Sequence, residues 1–90
     1  MNNNTFEYTE NEELISNVKK KTGAAFEYVY DDCRELLNNP PAGIDSEMLT
    51  LLSQRVMRLE KFVSFEAPMK TIIIEIKLIL QAYTSLKEWV

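Results

Sequence analysis

The sequence predicts an all-α fold, an antiparallel three-helix bundle with helices over about residues 10–37, 46–64 and 68–89. Three observations carry that prediction. Apolar residues recur at helical spacing through most of the chain, and capping residues or prolines mark the ends of each periodic run. Outside residues 71–80 the chain also offers no convincing strand, and a single strand would need a partner molecule to pair with.

Asn2, Asn3 and Asn4 precede any periodic pattern. Residues 1–8 are therefore expected to form a poorly ordered N-terminus, with residues 9–90 as a single helical domain. Thr9 and Glu12 have the spacing of a capping box, in which hydroxyl and carboxylate each satisfy one orphan amide, so a helix starting at Glu10 is well signalled. Lys19-Lys20-Lys21-Thr22-Gly23 reads equally as a helix end, with cations on the negative pole of the dipole and glycine just beyond. Phase favours continuity. With Leu14 at zero and about 100° per residue, Val18, Ala25, Val29 and Leu36 stay within about 20–60°, and Ile15, Phe26, Cys33 and Leu37 within about 100–140°. One unbroken helix to about Leu37 is the favoured reading, at a glycine cost of about 1 kcal/mol. A helix broken at Gly23 is the alternative.

Asn38-Asn39-Pro40-Pro41-Ala42-Gly43 is a loop, because two prolines stop the helix and the glycine frees the backbone. Asp45 is a good N-cap, and Ile44 and Leu49 hold the positions of a hydrophobic staple. The second helix then runs to about Ser64, with Met48, Leu52, Val56, Leu59 and Val63 along one line. After Pro68 the apolar phase slips by roughly 90°, which a continuous helix would not show. A tight turn at residues 65–67 is expected, with Pro68 opening the third helix.

The third helix carries the candidate contact surface. With Met69 at zero, Ile72, Ile73, Ile76, Ile79, Leu80, Tyr83, Leu86 and Val90 form a broad core stripe, whereas Ile74, Leu78, Ala82 and Trp89 fall at about 140–220°. Three helices cover one broad face of each member. The far row of Ile74, Leu78, Ala82 and Trp89 is therefore expected to be a partner-binding surface, for another protein or for a second copy in a homodimer. Two alternatives stand beside it: the helix is central and buried on both sides, or Thr71 to Leu80, rich in β-branched residues, pairs as a strand.

Composition bounds the chemistry. The sequence has no histidine, which removes the commonest general base and metal ligand. Its two glycines cannot build a phosphate-binding loop. Cys33 lies on an apolar helix side and is expected to be a buried, inert thiol. No catalytic, cofactor-binding or metal-binding residues are expected, and no cofactor. Glu27, Asp31, Asp32 and Glu35 are expected to line a solvated acidic face. Arg55 falls inside an apolar arc, and its guanidinium is expected to reach an acid such as Asp32. Fourteen acidic against ten basic residues give a net charge of −4, and the cations form no stripe, which argues against nucleic acid. One cysteine, no signal segment and no long uncharged run point to a cytoplasmic protein without a membrane span.

The run Ser46-Glu47-Met48-Leu49-Thr50-Leu51-Leu52, continuing to Arg58-Leu59-Glu60-Lys61 and Pro68, resembles the middle helices of bacteriocin immunity proteins of the enterocin A, pediocin-like type. The likeness spans roughly residues 26–80. It implies a small antiparallel helical bundle that is not an enzyme and that protects a producer cell by contacting the membrane receptor complex engaged by the toxin. This chain departs from that family in its acidity and its longer first helix, and no binding residues carry over. The helix, Asn-Pro loop, helix layout also resembles helical-hairpin subunits and chaperones of bacterial secretion systems, which implies self-assembly.

Overall fold

The computed structural model describes residues 12–88, which fold into four helices: α1 (Glu12–Thr22), α2 (Ala24–Asn38), α3 (Ser46–Ser64) and α4 (Met69–Lys87). No strand occurs among the described residues, and residues 71–80 lie within α4. The N-terminal segment, the Thr9 half of the capping box and Trp89 lie outside the described residues.

The helix count is one more than the sequence predicts, because the first helix breaks at Gly23. That residue has φ 90° and ψ 164°, a region essentially reserved for glycine. The amide of Gly23 donates to the Lys19 carbonyl at 3.0 Å, and the Thr22 hydroxyl donates to the Val18 carbonyl at 2.7 Å. Gly23 then supplies the carbonyl that opens α2, accepting from the Phe26 amide at 3.2 Å. The Lys-Lys-Lys-Thr-Gly stop signal thus outweighs phase. The apolar record of α1 is only Leu14, Ile15 and Val18, too short for its alignment with α2 to discriminate.

Asp45 caps α3 as expected, accepting from the Glu47 amide at 2.9 Å and the Met48 amide at 3.5 Å. At the other end the Ala67 amide donates to the Phe62 carbonyl and the Glu66 amide to the Val63 carbonyl. These are the paired bonds of a Schellman closure, with Glu66 in the left-handed position at φ 56°. Ala67 and Phe62 both pack against the core beside it. The turn at residues 65–67 stands, and Pro68 caps α4 from just outside, so the helix starts one residue later than expected.

The α3–α4 hairpin is the most extensively packed pair, and α1 and α2 both pack across it. One core gathers Val18 from α1, Phe26, Val29, Tyr30, Cys33, Leu36 and Leu37 from α2, and the apolar rows of α3 and α4. Phe26 and Tyr30, one turn apart, stack with ring centroids 6.4 Å apart.

Two backbone tests follow. A Cβ on Gly23 would meet nothing within 4 Å, so Gly23→Ala should cost about 1–3 kcal/mol purely through its positive φ. Urea unfolding with no loss would show that the joint does not hold that conformation. Glu66→Gly should raise stability by up to about 1 kcal/mol, because it removes a left-handed non-glycine strain of about 1–2 kcal/mol for a smaller entropy cost. A melting temperature at or below that of the parent would contradict the Schellman assignment.

Candidate functional site

The sequence reads as acidic, but the outward surface of the α3–α4 hairpin is basic. Its two mid-helix carboxylates are turned inward. Glu60 is buried in α3 and accepts a 2.6 Å hydrogen bond from the Tyr30 hydroxyl of α2. Glu75 of α4 is only 2% exposed, and its Oε2 has no hydrogen-bond partner among the described residues. Arg58 and Arg55 of α3 bear on it electrostatically. Arg55 therefore serves Glu75, and the sequence expectation that it reaches Asp32 is corrected. Asp32 instead accepts from the Tyr83 hydroxyl at 2.5 Å and from the Lys87 ammonium at 3.3 Å, clamping the end of α4 to α2.

With those acids withdrawn, Arg58, Lys61, Lys70 and Lys77 remain exposed on the outward arcs of the hairpin, with Glu66 at its turn. None of the four cations makes a direct ion pair among the described residues. Large apolar side chains stand among them: Phe65 is 70% exposed and Ile74 55%, and Met57, Met69, Ile73 and Leu80 are also exposed. Gln54, Met57, Arg58, Lys61, Phe62 and Phe65 line an open cleft of about 640 Å³ along the outside of α3. Its lining has three apolar side chains, two cations and no carboxylate.

The predicted row on α4 is only partly on this surface. Ile74 is exposed, Leu78 is half-buried and Ala82 is buried at 5% exposure, so Ala82 does not belong to a contact face. Trp89 lies outside the described residues. The reason is the phase of the core. With Met69 at zero, the buried residues Ile72, Glu75, Ile79, Ala82, Tyr83 and Leu86 centre near 270°, roughly 50° from the centre of the apolar stripe. Glu75, at about 240°, falls inside that buried arc beside Ala82 at about 220°, with Leu78 at its edge. Met69, Ile73 and Leu80, expected in the core, are exposed on the other flank. The sequence gives no signal for this, because Glu75 occupies a core position that reads as surface.

The expected acidic face on α2 is present. Asp31 and Glu35 are exposed, and Lys19 of α1 lies 3.1 Å from Asp31 and 3.8 Å from Glu27. Cys33 is fully buried, and burial pushes its thiol up to about 12. A thiol held in that state is a poor nucleophile at neutral pH. No helix among the described residues is long and apolar enough to cross a membrane. Comparison with protein-family models, curated proteins and solved structures finds no match to this chain.

Burial holds the carboxyls of Glu60 and Glu75 above their ordinary range, against the opposing pull of Tyr30 and Arg34 on the first and of the two α3 arginines on the second. The Tyr83 hydroxyl, followed by Lys87, holds Asp32 below its own range. For the two glutamates the folded value exceeds the unfolded one. Their contribution to stability is therefore fully present below the unfolded carboxylate value and is lost as pH rises through the folded value. For Asp32 the sign is reversed, with stability present above the unfolded value and lost as pH falls through the folded one. Thermal stability should thus rise on mild acidification from neutral pH and fall again in stronger acid. Glu75→Gln should flatten the rise and leave the acid-side loss in place. An unchanged pH profile in that variant would show that Glu75 ionises freely.

Proposed function

We propose that this chain is a non-enzymatic protein-binding domain whose contact surface is the outward side of the α3–α4 hairpin. The observation that carries this reading is the set of exposed Phe65, Ile73 and Ile74 beside Arg58, Lys61, Lys70 and Lys77, which make no direct ion pair among the described residues. Scattered exposed apolar residues are ordinary, but several large ones on one hairpin, bordered by cations, have the composition of an interface. Of the row predicted from sequence, Ile74 belongs to this surface and Leu78 to its edge.

The absence of histidine and the buried state of Cys33 support a binding role over a catalytic one. The likeness of residues 46–68 to bacteriocin immunity proteins fits a domain that neutralises or shields its partner. A lone buried thiol suits the reducing cytoplasm. Self-assembly is the second reading, favoured by the separation of charge between the basic hairpin and acidic α2.

The test is the double variant Phe65→Ser with Ile74→Ser. Both side chains are more exposed than buried, so unfolding free energy should stay within about 0.5 kcal/mol of the parent. Capture of a partner from host extract should fall at least about tenfold, a change of about 1.4 kcal/mol. Undiminished capture would remove the hairpin as the contact. A collapse in stability would mean that these residues belong to the core.

A further inference from the structure

Among the described residues, the other strongly exposed aromatic sits on a surface of opposite charge. Tyr28 of α2 is 68% exposed. Ala24, Asp31 and Glu35 are exposed as well, at i−4, i+3 and i+7 from it, so the four form one ridge along the outside of α2. A small residue, an aromatic ring and two carboxylates thus stand in line.

The cleft on α3 is its complement in both chemistry and spacing. Phe65, Lys61 and Arg58 lie at i, i−4 and i−7 in its lining. Laid antiparallel to α2, this series sets Tyr28 against Phe65 and its apolar neighbours Phe62 and Met57, Asp31 against Lys61, and Glu35 against Arg58. Asp31 also meets Lys19 of its own molecule at 3.1 Å. At 1.5 Å rise per residue the three ridge positions fall at about 0, 4.5 and 10.5 Å and the three cleft positions at about 0, 6 and 10.5 Å. The mismatch is within the reach of a lysine side chain.

The geometry points to a second copy of this chain as the occupant of the α3 cleft, with the Tyr28 ridge of one molecule seated antiparallel along α3 of the next. This rests on reading the hairpin as a protein contact and names what it contacts. Ridge and cleft share no residue, so each molecule offers one of each, and the contact either closes reciprocally between two molecules or runs head to tail through several. Its recognition is an aromatic anchor in an apolar seat flanked by two ion pairs, which gives register as well as attraction. An anionic bilayer is the less suitable occupant, because the whole chain carries a net charge of −4 and would be repelled.

Paired charge reversal tests it. One variant carries Arg58→Glu and Lys61→Glu, the other Asp31→Lys and Glu35→Lys. Sedimentation velocity over a concentration series at low salt should show the parent associating, and the association should weaken as salt rises. Each variant alone should associate at least about tenfold more weakly, because like charges then face each other. An equimolar mixture of the two should associate again, since each variant then meets opposite charge. Tyr28→Ser and Phe65→Ser, which leave charge untouched, should each weaken association with little change in melting temperature, and they decide the matter if a reversed variant fails to fold. A parent that stays monomeric at every concentration in low salt, or folded reversal variants whose mixture associates no better than either alone, overturns the second copy. If such a monomeric parent still captures a host protein that the Phe65→Ser, Ile74→Ser variant loses, the hairpin reading survives. If that capture does not depend on the hairpin, both fall.

Discussion

Helix α3 packs against each of the other three helices, and the rest of the domain is arranged around its buried row of Leu49, Leu52, Val56, Leu59 and Val63. Packing against three neighbours gives it a wide buried arc, while Gln54, Met57, Arg58 and Lys61 stay exposed on the remaining side. Its buried arc widens until it takes in Ser53 and Glu60. A carboxylate inside such an arc costs several kcal/mol unless it is hydrogen-bonded or neutral. The Tyr30 hydroxyl answers that need from α2, which ties the orientation of α2 to the register of α3. Glu75 meets the same constraint on α4, where the charges of Arg58 and Arg55 on α3 only partly offset the effect of burial. The central helix therefore fixes its neighbours through polar groups as well as through apolar packing.

That arrangement determines the surface. Each carboxylate drawn into the hairpin leaves the cations around it unbalanced outside, so a chain with net negative charge presents a basic, partly apolar face on α3 and α4. The acids of α1 and α2 remain outside, except where Lys19 and Lys87 meet them. Interior electrostatics and surface charge are thus one question here, because burial of the acids decides both.

The parts of this fold that could be read from sequence are those set by local chemistry. Asp45 at the head of α3, the prolines before it and Pro68 after it each act within one turn of the chain, and the observed boundaries of α3 follow them. Gly23 was legible too, in the lysines and threonine before it, but phase alignment argued the other way from an apolar sample of three residues. Residues whose roles depend on distant partners were not legible. Glu60 and Glu75 look like surface residues until Tyr30, Arg55 and Arg58 are placed near them. Helix α4 is apolar around much of its circumference, so periodicity alone could not say which quarter faces inward. Ala82 moved from the predicted contact row into the core for that reason, and Met69, Ile73 and Leu80 moved outward.

The break at Gly23 has a consequence for how the domain opens. Helix α1 contributes one fully buried side chain, Val18, with Leu14 and Ile15 only partly covered. Burial of a valine is worth about 1.5–3 kcal/mol, against about 5–15 kcal/mol for the unfolding of a whole domain. Were α1 and α2 one continuous rod, loosening the first would strain the second. The glycine joint removes that strain, leaving Val18 and the Lys19 ion pairs as the main ties of α1 to the other helices. The amides of α1 are therefore expected to exchange with solvent ahead of those in α2, α3 and α4.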